Sequence, residues 1–423
     1  MKTIIYIPGL GEFNNDLTLS KLANRYAKAL DLNDNSVEKK YKVEIKKFQF
    51  GISENQNTNE AIISKIEPEK EAEIVCKIYE FGYSSLVVGN FKERSVFYQS
   101  FLTFWFLILK IPVVSKLLIF NFFKPTANAS ISKKNDLGQI LLGSIIISIL
   151  TLFGVILFLG IFTTISTWIA QQPQLKNFRF PFCLWDSACE MINELIIYAK
   201  KLIHRFNDFV EILIYPFLIA FGLNLKLKEH LTSAAAIIIS FNNYFDNGIN
   251  KLSIIGKLEE LAENIAEENP NAESEIIGYS LGSLIAIDAL FPIDGIACKR
   301  FNNIKSFISI GCPHDFIILY WPNYFKRTEN KNLKLTTWFN IFSDADILSS
   351  TFRNDAQYQN PNIKIGQNNI LPVNIPYNVI NPENSKWSHL LLLKGFKAHS
   401  MYWDDTQISS SCFNNLFFLQ SKS

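Results

Sequence analysis

The chain has almost no net charge to offer a charged partner. Its 41 lysines and arginines stand against 39 aspartates and glutamates, a formal balance of +2. That balance leaves no electrostatic footprint for a nucleic acid, and none is expected as a partner. Cysteine is sparse as well. Cys76, Cys183, Cys189, Cys298, Cys312 and Cys412 are scattered, with neither metal-ligand spacing nor the density of a small disulfide framework. No metal or other cofactor is therefore expected, and the thiols fit a reducing compartment. A secretory leader is not visible either: Lys2 is followed by a short apolar run that stops at Pro8, too brief for an h-region and better read as a strand. Internal repeats are absent.

What the sequence does have is apolar surplus, and it is local. Hydrophobic residues make up 48% of 423 residues, with Phe, Ile and Leu concentrated in the middle third. A chain of this size exceeds the usual single core, so it holds either two domains or one domain with a large insertion.

The stretch that organises the rest is Ile276-Ile277-Gly278-Tyr279-Ser280-Leu281-Gly282-Ser283-Leu284. An apolar run enters Gly-x-Ser-x-Gly and an apolar stretch at helical spacing leaves it, which reads as strand, sharp turn and helix. Two glycines beside a serine relieve the close backbone contacts of such a turn. Ser280 is then held above a sheet, with the Leu281 amide at a helix start facing developing negative charge. Alone, the pentapeptide is moderately specific, because chance also produces it in long chains.

Before the insertion, Thr3 to Ile7 reads as a buried strand ending at Pro8-Gly9-Leu10-Gly11, followed by a helix over Leu17 to Leu30. Tyr41 to Phe48 and Ile74 to Phe81 read as further strands. From about Ser95 to Phe241 the alternation stops. No charged residue occurs from Leu137 to Leu175, and Gly138 to Ala170 exceeds the roughly 20 apolar residues a membrane helix needs. Ser95 to Phe123, interrupted by Lys110 and Lys116, is a second candidate. If the flanking parts build one sheet, both lie on the same side of the bilayer and the number of crossings is even. The expected arrangement is a hairpin of these two stretches, with Glu190 to Leu225 lying on the membrane and the catalytic domain on the cytoplasmic face. The loop lysines Lys124, Lys133 and Lys134 run against the positive-inside tendency in this arrangement.

After the insertion, Leu252 to Glu268 reads as a helix, then the Ser280 unit begins. Ile304 to Ile310 and Leu335 to Phe342 read as strands, the first ending at Gly311-Cys312-Pro313-His314 and the second at Ser343-Asp344-Ala345-Asp346. A serine hydroxyl needs a base to take its proton and a carboxylate to orient that base. Asp346, with Asp344 as the alternative acid, and His399 follow Ser280 in the order Ser, Asp, His. Glu80 is a further carboxylate at a strand end, and His314 is the rival base, although it precedes the acid.

On these residues the chain resembles the α/β-hydrolase superfamily, on its lipase and esterase side. The matching pieces are Ile7-Pro8-Gly9-Leu10-Gly11, Gly278-Tyr279-Ser280-Leu281-Gly282, Ser309 to Pro313, Trp338 to Phe342 with Asp346, and His399 with Tyr402-Trp403. The resemblance covers residues 1–94 and 242–423 and implies a mostly parallel sheet with helices on both faces, interrupted by a largely helical hydrophobic insertion at 95–241. It implies Ser280, Asp346 and His399 as the catalytic triad, Leu10 and Leu281 as oxyanion-hole donors, and Gly9, Gly278 and Gly282 as supporting turn glycines. Pro8-Gly9 stands where many members have His-Gly, so only backbone donation is carried over there. The expected activity is hydrolysis of a lipid or other acyl ester through an acyl-enzyme, with the bilayer as partner. Acyl transfer or peptide cleavage by the same triad, and a membrane-anchored effector with a vestigial site, are the alternatives.

Overall fold

A computed structural model describes residues 1–10, 15–34, 40–50, 57–83, 86–87, 105, 109–110, 112, 240–245, 248–270, 272–292, 298–321, 324–325, 334–343, 346, 348–352, 370–377, 399, 401–403 and 411–420. The chain divides into two compact units. One comprises Met1–Gly89, Lys110–Ile145 and Ser240–Ser423, and the other Asn90–Leu109 and Ile146–Ile239. The first contains all the strands and helices named below.

In chain order these are β1 (Lys2–Ile7), α1 (Asn15–Asn33), β2 (Tyr41–Gln49), β3 (Asn57–Lys65), β4 (Glu73–Glu80), α2 (Gly248–Glu268), β5 (Glu273–Tyr279), α3 (Leu281–Leu290), β6 (Ile304–Ile310), α4 (His314–Tyr320), β7 (Thr337–Phe342), β8 (Val373–Pro376) and α5 (Asn414–Gln420). The strands form one sheet in the order β2-β3-β4-β1-β5-β6-β7-β8. β3 runs antiparallel to both neighbours, and every other pairing is parallel. The fold class is α/β.

The central strands are mostly apolar and almost wholly buried because both faces are covered. On β1, Ile4 and Tyr6 join a core with Leu19, Leu22 and Tyr26 of α1 and Phe413 and Leu416 of α5. Successive side chains alternate across a strand, so Ile5 and Ile7, equally buried, face the other way. That opposite face carries α3: a Cβ on Gly278 would lie 2.6 Å from the Ser283 Cα. The chain thus leaves β1 toward one face and β5 toward the other. Neighbouring strands with opposite exits open a crevice at their carboxyl ends, where α/β proteins place ligands.

β3 and β8 lie outside the strands expected from sequence. β3 opens with Thr58, Asn59 and Glu60, polar yet buried, and their partners explain why. Thr58 donates to the Glu80 carbonyl, Asn59 Nδ2 donates to Glu80 Oε2 at 3.2 Å, and Lys77 pairs with Glu60 at 3.3 Å. β8 is short, ends in proline and pairs only with β7, the edge position at which a missing N–H is tolerated. The helices α4 and α5 are likewise additions to the sequence reading.

Among the described residues no helix is long and apolar enough to cross a membrane. The apolar stretches 95–123, 138–170 and 190–225 lie outside the described residues, apart from Trp105, Leu109, Lys110 and Pro112.

Candidate active site

β5 delivers Ser280 to the carboxyl edge of the sheet, and α3 begins at the next residue. Ser280 has φ 53° and ψ −123°, a left-handed conformation that costs a residue with a Cβ on the order of 1–3 kcal/mol. It is held there from several sides. Its amide donates to the Ile310 carbonyl of β6 at 2.9 Å, and its carbonyl accepts from the Ser283 amide at 3.0 Å. The Ser283 hydroxyl donates to the Gly278 carbonyl at 2.7 Å, closing the turn on itself.

The end of β1 packs directly on this turn. A Cβ on Gly282 would come 2.0 Å from the Ile7 carbonyl oxygen, and one on Gly9 would come 2.9 Å from the Ser280 Cβ. Glycine is required at both positions by close approach, and Gly278 is crowded in the same way. The Tyr83 hydroxyl donates to the Pro8 carbonyl at 2.8 Å, fixing the loop that carries Leu10. As the first residue of α3, Leu281 has an N–H with no intrahelical acceptor.

Asp346 and His399 meet although 53 positions separate them. His399 Nδ1 lies 2.8 Å from Asp346 Oδ2. A carboxylate only accepts, so Nδ1 carries the proton and Nε2 presents its lone pair. Asp346 is fully buried, and each of its oxygens is engaged. Oδ1 accepts the Leu348 amide at 2.9 Å, while Oδ2 also accepts the Tyr402 hydroxyl at 3.0 Å. The backbone is pinned too, with the Asp346 amide donating to the Ser343 carbonyl at 3.0 Å.

Tyr279, the residue before the serine, reaches the histidine loop. Its hydroxyl donates to the His399 carbonyl at 2.6 Å, and its ring stacks on the imidazole at 5.1 Å between centroids. Gly311, at the end of β6, takes φ 57° and leaves space that a Cβ would fill, 3.2 Å from His399 Cε1 and 3.3 Å from Asp346 Oδ2. His399 Nε2 is buried and has no hydrogen-bond partner among the described residues. It is therefore not bonded to Ser280 in this state, and such contacts commonly tighten only around substrate.

Of the residues expected from sequence, Gly278 lies within β5, Ser280 stands between β5 and α3, Leu281 and Gly282 open α3, Gly9 and Leu10 follow β1, Asp346 follows β7, and His399, later in the chain than β8, packs onto Asp346. Asp344 lies outside the described residues, as do His204, His230 and His389. His314 is engaged elsewhere: Nδ1 sits 2.9 Å from Asp315 Oδ1, and the ring packs against Phe325 and Phe352. The Glu80 carboxylate bonds to Asn59. Sequence reasoning passed over Tyr279 and Tyr402 as individual actors. Their positions, inside the serine pentapeptide and three residues after the histidine, are the only signal the sequence carries for them.

Among the described residues no group of histidines, cysteines and carboxylates is placed to hold a metal. The described thiols Cys76, Cys298, Cys312 and Cys412 are unpaired; burial pushes Cys76 and Cys412 up to about 12 and Cys312 higher still, so these three pack as small apolar groups. Comparison with family models, with curated proteins and with solved structures finds no match to this chain.

Proposed function

We propose that this chain is a serine hydrolase of the α/β-hydrolase superfamily that cleaves an acyl ester, of a lipid or another acyl substrate, at a membrane. The observation that carries the reading is the hydrogen-bonded pair of His399 and Asp346, with an imidazole Nε2 unpartnered among the described residues, on the same sheet edge as a serine in a left-handed strand-to-helix turn.

In this reading Ser280 Oγ attacks the ester carbonyl carbon while His399 Nε2 takes its proton. Asp346 fixes the tautomer and offsets the charge of the imidazolium. The oxyanion is held by the amides of Leu10 and Leu281, each such donor being worth about 10²–10³ in rate. Collapse of the intermediate expels the alcohol, protonated by His399, and leaves an acyl-serine. Water, deprotonated by the same imidazole, then releases the acid and restores Ser280. The long uncharged stretch from Leu137 to Leu175 supports a bilayer location, where amphiphilic esters are met without leaving the membrane. The catalytic unit on the cytoplasmic face agrees with four unpaired cysteines.

A fluorophosphonate probe applied to membranes containing the full chain tests the chemistry. Labelling of the wild type at Ser280, and its loss in Ser280→Ala, is the expected result. A wild type that stays unlabelled, with its fold intact, favours instead a membrane-anchored effector with a vestigial site.

A further inference from the structure

Among the described residues, Tyr402 is a buried hydroxyl that shares an oxygen with the His399–Asp346 pair. It donates to Oδ2 at 3.0 Å, and His399 Nδ1 lies 2.8 Å from that same atom. The ring has little freedom: it is fully buried, stacks on Tyr377 at 5.9 Å between centroids and meets Tyr279 edge-on at 6.2 Å. Among the described residues the titratable groups facing it are Asp346, His399, Tyr279 and Tyr377, with the Ser349 hydroxyl beside them. The ion-pair partner of Asp346 among the described residues is His399.

We propose that Tyr402 is a positioning residue that sets the basicity of His399 by dividing Asp346 Oδ2 between two donors. A phenol hydrogen bond withdraws electron density from Oδ2 and so weakens the attraction that the oxygen exerts on the Nδ1–H of an imidazolium. It also fixes the carboxylate rotamer, because Oδ1 is tied to the Leu348 amide and Oδ2 to two side chains. The phenol remains a donor throughout the working range, since burial first, and the charge of Asp346 second, hold its proton far above the usual tyrosine range. With the hydroxyl removed, Oδ2 serves His399 alone, the protonated imidazole is stabilised, and the free base appears only at higher pH.

The inference rests on the serine-hydrolase reading for its consequence in catalysis, but not for its test. In Tyr402→Phe the ring packing stays and only the hydroxyl goes. Proton–carbon NMR of histidine-labelled full-length protein, with the His399 signal assigned by His399→Gln, follows the ring through its titration. The midpoint is expected to move upward by about half a unit to one unit, and the acid limb of the pH profile for phosphonate labelling should move with it. An unmoved midpoint overturns the inference. Should Tyr402→Phe fail to fold, 3,5-difluorotyrosine introduced at position 402 decides the matter: its stronger donor moves the midpoint downward, and no change or an upward change refutes the role. A wild type that is not labelled removes the catalytic reading, while the NMR midpoint still reports on Tyr402.

Discussion

The parallel half of the sheet and its antiparallel margin are built from one chain but treat water in opposite ways. β5 and β6 bury almost every residue, whereas β2 exposes Lys42, Glu44, Lys46 and Lys47 along an edge that pairs only with β3. A parallel strand must be followed by a crossover, so each of β1, β5, β6, β7 and β8 turns back at the same edge, and their loops converge there. The β2–β3 hairpin reverses direction within the sheet, and where it meets that edge Thr58 and Asn59 bond to Glu80 rather than to the His399–Asp346 pair. Its charged side chains keep an open edge from pairing with another chain. The candidate site lies where the parallel strands end; the hairpin supplies width and protection.

The contrast is tested most severely at Gly282. Alanine there places a Cβ 2.0 Å from the Ile7 carbonyl and 2.6 Å from that of Pro8, both backbone atoms of β1 and its loop. Gly282→Ala is expected to destabilise the protein by more than about 4 kcal/mol and to abolish Ser280 labelling, read by chemical denaturation and by the phosphonate probe. Stable, labelled protein would mean that β1 and α3 are not packed as described.

Asp346→Asn is the next largest effect and belongs to the site rather than the fold. The amide keeps the shape but can donate toward His399, which favours the wrong tautomer. The labelling rate should fall about 10³–10⁴-fold while the denaturation midpoint changes much less. A small loss of rate would instead favour another carboxylate, with Asp344 the first to test by the same substitution.

The parallel half was legible because its physics is written in runs. Thr3 to Ile7, Ile304 to Ile310 and Trp338 to Phe342 are mostly apolar and end at turn residues, so the strands and the loops after them could be named. Ser280, Asp346 and His399 followed from chain order, and the pairing of His399 with Asp346 agrees with that order. Margins were less legible. Thr58, Asn59 and Glu60 look solvated until Lys77 and Glu80 are placed beside them, and a four-residue strand ending in Pro376 carries too little pattern to register. Tyr402 resisted for another reason: its bond to Asp346 joins positions 56 apart, and no local periodicity encodes that.

Smaller effects mark how far the site is insulated. Gly256 lies within α2, and a Cβ there meets nothing within 4 Å. Gly256→Ala should stabilise the protein by up to about 1 kcal/mol, because alanine gives up less backbone freedom on folding and favours the helix. Labelling should be unchanged. A loss of stability would show that this surface of α2 is covered.

The mildest test concerns the hairpin margin and its dependence on pH. Asp34, just past α1, accepts the Tyr41 hydroxyl of β2 at 2.8 Å and lies 3.3 Å from Lys65 of β3. The Tyr41 hydrogen bond, helped by Lys65, holds the Asp34 carboxyl below its usual range. A depressed carboxyl contributes stability above the ordinary carboxyl range and loses it as the pH falls through the lowered value. The site is largely open to water, so the contribution is small and the lysine part is screened by salt. Tyr41→Phe removes the leading cause. Amide exchange across Tyr41–Gln49 should therefore quicken slightly in the variant at about pH 7, and the difference from wild type should shrink once the pH has fallen through the lowered Asp34 range. A difference of equal size at both pH values would place the role of Tyr41 in its ring packing, and the margin would then owe nothing to this charge.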